Sequence, residues 1–202
     1  MIMKKIKVQK KGKQPIRKKG DDMGEPLEDS SEKDQITVTV MIEIPKGSRN
    51  KYEYDKEKKM LKFDRMLFSA VHYPSDYGFI LNTLAKDGDP LDALVLVWEP
   101  TFPGCIIEAR PVGLFKMWDE KGPDEKILCV PLYDPLWNHI ERLSDVPPHL
   151  LKEIEHFFSV YKELEKKKTG VEGWEDKESA IEIIKESQQR YLKIELGLEL
   201  EY

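Results

Sequence analysis

The hydrophobic period changes once along this chain, and that change restricts the fold more than any other feature. Ile36, Val38, Val40, Ile42 and Ile44 alternate with Thr37, Thr39, Met41 and Glu43, the period-two pattern of a strand with one buried face. Pro45, Gly47 and Ser48 close that run as a turn. Further apolar or alternating runs fall at residues 60–68, 92–98, 105–117 and 126–132, each bounded by Gly, Pro, Asp or Asn. After Pro147 and Pro148 the spacing turns helical. Leu150, Leu151, Ile154, Phe157, Phe158, Tyr161 and Leu164 share one face, with Lys152, Glu153, Glu155, Lys162 and Glu163 on the other. A second helix is predicted over residues 176–196, with Asp176 or Ser179 as cap and Ile181, Ile184, Tyr191 and Leu192 as its apolar stripe. Strands first and helices afterwards predict an α+β fold, a small closed barrel of about five strands with C-terminal helices packed outside it.

A chain of 202 residues fits one domain with an appendage. Its 40% hydrophobic content is enough for a core, yet charge interrupts every run short of the roughly 20 residues that span a bilayer. A net charge of −5 excludes a generally basic nucleic-acid binder unless the charge is segregated. It is segregated at the start. Residues 1–20 carry eight lysines and Arg17 with no acid, and residues 21–34 carry seven acids against Lys33. Without apolar periodicity, residues 1–34 are expected to form a disordered charged extension, and residues 35–202 the folded domain. The lysine block is the one place where nucleic acid could engage. No apolar stretch follows it, so no secretory signal is expected, and a lysine-rich block is a poor mitochondrial leader. Cytoplasm is the default location. Cys105 and Cys129 are too few for a disulfide scaffold and read as buried, inert thiols. No His-Glu-x-x-His spacing is present, which argues against zinc protease chemistry, and His156 reads as a core or interface residue of the first helix.

The chemistry concentrates in carboxylates. Lys86-Asp87-Gly88-Asp89-Pro90-Leu91-Asp92 runs straight into the apolar strand Ala93-Leu94-Val95-Leu96-Val97. Asp92 at the entry of a buried strand needs a cation or a strong hydrogen-bond set, because an unpaired buried charge is costly. Oxygen donors in this number suit a hard cation such as Mg²⁺, Mn²⁺ or Ca²⁺. A calcium EF-hand fails on spacing, since Asp92 and Trp98 stand where its loop wants Gly and Glu. A plain acidic surface turn explains the composition equally well at this stage. A second acidic pair, Asp119 and Asp124, flanks Glu120-Lys121-Gly122-Pro123, and a hairpin there would bring both to one end of the sheet. Lys51, Arg65, Lys126 and Lys162 supply cations nearby in the pattern, and Tyr73, Tyr77 and Tyr161 supply phenols that can donate to an anion.

These residues resemble the soluble inorganic pyrophosphatases of family I, prokaryotic type. The matching stretches are Ile42-Glu43-Ile44-Pro45, Lys51-Tyr52-Glu53, Asp64-Arg65, Tyr73-Pro74, Tyr77-Gly78, the acidic run 87–92, Arg110-Pro111-Val112-Gly113, Lys116-Met117 with Asp119, Asp124 with Lys126, and His156-Phe157-Phe158 with Tyr161-Lys162. They fall in order over about residues 36–195; residues 1–34 have no counterpart, the Ile44 to Lys51 loop is shorter, and the Pro131 to His139 segment is altered. The resemblance implies an OB-type five-stranded barrel and Mg²⁺-dependent hydrolysis of diphosphate to two orthophosphates. It implies that Asp87, Asp92 and Asp124 hold a first metal, that Asp92 is shared with a second, and that Asp119 joins Asp124 around a substrate-borne one. Asp89 becomes the general base or the group orienting the attacking water. Lys51, Arg65, Lys126, Tyr161 and Lys162 grip phosphate oxygens, Tyr77 bonds near Asp92, and Glu43, Glu53 and Tyr73 complete the pocket. A homohexamer is implied as well.

If these groups share one pocket, seven acids meet four cations and leave −3. Like charges about 4 Å apart repel by roughly 4 kcal/mol at an effective dielectric of 20, so such a site admits a polyanion only with divalent metal present. Phosphoryl transfer needs positioning and charge neutralisation more than covalent help, so no Ser or Cys nucleophile is expected. Two rivals remain: a nucleic-acid-binding barrel would show a basic, aromatic groove instead of carboxylates, and a calcium-binding structural module would have no use for Arg65 and Lys126.

Overall fold

The computed structural model describes residues 36–198, so the charged extension expected over residues 1–34 lies outside the described residues. Nine strands are present among them: β1 Val38–Ile44, β2 Asn50–Asp55, β3 Met60–Met66, β4 Asp76–Ile80, β5 Asp92–Val95, β6 Ile106–Asp119, β7 Gly122–Pro123, β8 Lys126–Pro131 and β9 Gly170–Glu175. Two α-helices follow the ring strands, α1 Pro148–Val160 and α2 Lys177–Glu195.

Five strands close into a ring in the order β1, β4, β5, β8, β6 and back to β1. All neighbours are antiparallel except β5 and β8, which run parallel. The ring is the expected α+β, OB-like architecture, although its strands are not evenly spaced round an axis. β6 makes closure possible by its length of 14 residues. Its start pairs with β1, its middle with β8 and its end with β9. The β2–β3 hairpin forms a separate two-stranded sheet.

Side chains alternate across β5, and the alternation divides the core. Ala93 and Val95 join Val38, Val40, Ile42, Ala180 and Ile184 in one apolar cluster. Leu94 and Leu96 join Phe115, Phe157 and Phe158 in the other. α2 therefore covers one cluster and α1 the other. Burying each such side chain contributes about 1.5–3 kcal/mol, so the ring is held between two apolar layers. Within the α1 cluster the rings of Tyr73 and Phe157 lie 4.8 Å apart, and those of Phe115 and Phe158 5.4 Å. β1 and β4 approach so closely that a Cβ on Gly78 would sit 1.9 Å from the Met41 carbonyl oxygen. No side chain fits there, which explains why Gly78 occupies the middle of a buried strand.

Both helices form where the spacing placed them, with local differences. Asp176 caps α2, its carboxylate accepting from the Ser179 N–H at 3.2 Å. The buried stripe of α2 is Ala180, Ile184 and Ser187, while Leu192 is 56% exposed. Small residues win because the Leu84 loop presses on the helix: the Leu84 N–H bonds the Ser187 carbonyl at 3.0 Å. α1 stops at Val160, one residue before Tyr161, so Leu164 falls in a 3-10 turn at Glu163–Glu165 and points outward. His156 is exposed rather than core. Cys129 is buried as expected, and Cys105 is partly exposed just before β6.

Candidate active site

Three segments of backbone bring the acids together. The loop between β4 and β5 is a pinned turn: Ala85 N–H bonds the Asp89 carbonyl at 2.7 Å, Asp89 N–H bonds Asp87 Oδ1 at 3.0 Å, and Leu91 N–H bonds Thr83 Oγ1 at 3.0 Å. Gly88 takes φ +87°, a conformation that glycine adopts without strain. The β6–β7 hairpin pairs Asp119 with Gly122, and the Asp124 N–H bonds back to the Met117 carbonyl at 2.8 Å. The parallel pairing of β5 with β8 sets Asp92 directly beside Lys126.

The result is one cavity of about 480 Å³ lined by Glu43, Lys51, Glu53, Asp87, Asp89, Asp92, Asp119 and Asp124, together with Lys56, Lys86, Lys121 and Glu125. Eight carboxylates against four lysines make its wall strongly acidic. Every carboxylate expected at a metal or pocket position is in that wall. Just behind it lies Lys126, 1% exposed, whose Nζ donates to Asp92 Oδ2 at 2.8 Å and to Asp124 Oδ1 at 2.5 Å. Those two carboxylates are thus no farther apart than the sum of the two bonds. Tyr77 also donates its hydroxyl to Asp92, and the Lys126 ammonium sits 5.5 Å from the Tyr77 ring centre and 5.4 Å from that of Phe158. Lys162 donates to Asp119 at 2.9 Å and lies over the Tyr161 ring at 5.1 Å.

Not all expected groups reach the cavity wall. Tyr73 is buried beside Tyr77, ring centres 5.4 Å apart, and works as packing under the site. Tyr161 is buried next to Lys162. Arg65 faces Asp64 and Glu165. Sequence reading gave no role to three participants: Lys56, whose Nζ reaches Asp89 Oδ1 at 2.9 Å, Asp64, quoted only as part of a matching stretch, and Glu165. Asp64 had a signal in its place beside Arg65. Lys56 and Glu165 stand in charged turns whose composition looks merely solvated.

The donor set suits a divalent cation. Each acid is an oxygen donor, and among the described residues lysine ammoniums take the cation's part, Lys126 between Asp92 and Asp124 above all. No three of the acids are already drawn up as a closed coordination sphere among the described residues. The electrostatics still ask for positive charge. Burial lifts the Asp92 carboxyl above its usual range despite Lys126, with Asp124 adding to the rise. Burial works against the charge on Lys126, but Asp92 and Asp124 outweigh it and hold the ammonium protonated. At Asp119 burial pushes upward, but the hydrogen bonds from Lys162 and the Lys121 N–H, with the charges of Lys162 and Lys126, together hold the carboxyl below its usual range.

Burial also pushes Glu43 up to about 7, although the Tyr54 N–H donates to its Oε1 at 2.6 Å. A carboxyl whose proton is held more tightly in the folded state adds stability that is complete below about pH 4.5 and is lost as pH rises through 7. Metal-free protein should therefore lose on the order of 3 kcal/mol between pH 4.5 and pH 8 from this group alone. Glu43→Gln keeps the acceptor for Tyr54 and removes the titration. Denaturant unfolding in chelator at the two pH values should show a smaller pH difference for the variant; an unchanged difference would assign the effect elsewhere.

Comparison with known proteins gives matches over most of the described residues. The inorganic pyrophosphatase family model matches residues 40–192. The chain is 67% identical over 155 residues to the inorganic pyrophosphatase of Methanosarcina acetivorans, covering 77% of this chain and 92% of that protein. It is 53% identical over 154 residues to that of Halalkalibacterium halodurans, covering 76% and 94% respectively. Among solved structures, the inorganic pyrophosphatase of Thermus thermophilus superposes with a TM-score of 0.76 at 44% identity, over 85% of this chain and 96% of the other.

Proposed function

The chain belongs to the inorganic pyrophosphatase family and hydrolyses diphosphate to two orthophosphates with divalent metal, and on that premise we propose how its residues divide the work. The observation that carries the reading is the gathering of acids from four separate segments into one cavity, with lysines on its rim and floor.

Asp87, Asp92 and Asp124 would hold the first metal, Asp92 would be shared with a second, and Asp119 with Asp124 would meet the one that arrives with substrate. Mg²⁺ is the ion of choice, because an all-oxygen set of carboxylates suits a small hard cation. When bound, such an ion supplies the charge that admits a polyanion and lowers the pKa of nearby water. The chain's own residues do the rest. Lys51, Arg65, Lys126, Tyr161 and Lys162 neutralise and orient phosphate oxygens, Arg65 through its planar fork and the lysines as point charges. Asp89 takes the proton of the attacking water. Tyr77 fixes Asp92 through its hydroxyl, Tyr73 backs Tyr77, and Glu43 and Glu53 complete the acidic wall.

We further propose a catalytic domain over residues 35–202, a separate charged extension before it, a homohexamer and a cytoplasmic location. Exposed Leu192, Ile194 and Leu196 near the end of α2 support assembly. No helix among the described residues is long and apolar enough to cross a membrane.

The test is a Mg²⁺ titration of diphosphate hydrolysis. Asp92→Asn removes a shared anionic ligand and should shift the Mg²⁺ activation midpoint upward by roughly tenfold or more. A midpoint that does not move would remove Asp92 from the ligand set.

A further inference from the structure

Arg65 is held by a partner that no role above requires. Its Nε donates to Glu165 Oε1 at 3.0 Å, and its Nη2 stands 2.9 Å from Glu165 Oε2 in the same ion pair. Nη1 donates to Asp64. These two hydrogen bonds occupy Nε and one N–H of Nη1, and the guanidinium keeps further N–H groups for phosphate oxygens. Asp64 is shared, because Lys51 also approaches it at 3.4 Å. Glu165 is not shared in the same way: its side chain is 5% exposed, and besides Arg65 it meets only the half-exposed Lys167, at 3.6 Å. A carboxylate so buried is stable there only while its cation stays in place.

The pairing crosses the fold. Arg65 stands on β3, in the separate hairpin sheet, and Glu165 ends the 3-10 turn that follows Tyr161 and Lys162, 100 residues away. Lys166 at φ +57° closes that turn, its N–H bonding the Glu163 carbonyl at 3.0 Å. One short segment therefore carries two groups assigned above to phosphate and the partner of a third.

We propose that Glu165 is a positioning residue for diphosphate: it fixes the plane of the Arg65 guanidinium so that its remaining N–H groups meet the substrate in register with Tyr161 and Lys162. The inference rests on the reading of Arg65 as a phosphate contact. A guanidinium on a long stem otherwise samples many orientations, and a misplaced contact group loses much of its binding value.

The experiment measures kcat and KM for diphosphate at saturating Mg²⁺ in Arg65→Ala, Glu165→Ala, Glu165→Gln and the Arg65→Ala/Glu165→Ala pair. Arg65→Ala should raise KM by roughly 10- to 100-fold, the value of a charge-assisted phosphate contact. Glu165→Ala should raise KM by about tenfold with kcat changed by less than about threefold. Glu165→Gln, which keeps the shape and one acceptor, should raise it by about threefold, and it decides the matter if the alanine variant does not fold. In the Arg65→Ala background, Glu165→Ala should change KM by less than about twofold, because its effect passes through Arg65. An unchanged KM in Arg65→Ala would overturn the assignment of Arg65 itself. A raised KM there, with Glu165→Gln silent or with Glu165→Ala acting equally in both backgrounds, would overturn the role of Glu165 alone. A lowered KM in Glu165→Ala would overturn it too, by making Glu165 a competitor for the guanidinium.

Discussion

Asp89→Asn should lower kcat for diphosphate by about 10²- to 10⁴-fold, the range for loss of a general base. Asp89 differs from its acidic neighbours in what holds it. Its backbone is bonded at both N–H and carbonyl, to Asp87 and Ala85, so the loop fixes where its side chain starts. Its side chain is 57% exposed, and among the described residues its carboxylate pairs only with Lys56, a half-exposed ammonium at 2.9 Å. A side chain with one exposed partner can turn to a water and act on it as a base, whereas Asp92 and Asp124 are each tied to the buried Lys126. Asparagine keeps the size and an acceptor oxygen but cannot accept that proton. The Mg²⁺ activation midpoint should move less than it does in Asp92→Asn, since Asp89 is assigned to the attacking water and not to the metal. Stopped-time phosphate release over a Mg²⁺ series measures both quantities. Full turnover, or a midpoint displaced as far as that of Asp92→Asn, would move Asp89 out of this role.

Lys126→Met should destabilise the metal-free protein by about 3–5 kcal/mol, the cost of removing one partner from a buried ionic cluster. Methionine fills most of the lysine's volume, so packing against Tyr77 and Phe158 changes little and the lost charge dominates. Asp92 and Asp124 then face each other across the space without a cation. They must either take up protons or repel. Because Mg²⁺ binds the folded form, the variant should gain more stability from added Mg²⁺ than the unaltered protein does. Urea unfolding in chelator and then in Mg²⁺ gives the comparison. Equal midpoints in chelator would mean that Lys126 contributes no net stabilisation where it sits. Activity should fall as well, because the same ammonium is assigned to a phosphate oxygen.

Much of this fold is legible in the sequence because alternation and burial coincide. In β1 the apolar residues Val38, Val40, Ile42 and Ile44 are all fully or nearly fully buried. In α1 Ile154, Phe157 and Phe158 fall on the inner face as the spacing requires. Other strands carry no such mark. β2, with the sequence Asn-Lys-Tyr-Glu-Tyr-Asp, has few apolar residues, because its partner is a hairpin and its side chains serve the cavity. β4 contains Asp76, Tyr77 and Gly78, residues that read as a turn until Gly78 is seen beneath the Met41 carbonyl. β9 has two glycines, one of which, Gly170, lies against the Trp118 indole. In α2 the expected stripe ran too far toward the C-terminus, since periodicity alone cannot tell that a loop presses on Ser187.

The acids of the site were legible from their number and from the apolar strand that Asp92 opens. Their partners were less so. Lys126 heads an apolar strand just as Asp92 does, and only the parallel register turns two odd strand starts into a pair. Glu165 gave no signal, since it stands between the last apolar residue of the predicted helix, Leu164, and three lysines, and reads as solvated.

That parallel register also has a bearing on assembly. In a ring with one parallel seam, sliding β8 along β5 by a residue would exchange the faces of Ile127, Leu128 and Cys129 and would also part the Lys126 ammonium from Asp92. The hydrophobic residues alone discriminate weakly here, because both faces of these strands are apolar. A salt bridge at the seam's first rung thus serves as an alignment key, favouring this register over its neighbours whether or not substrate is bound.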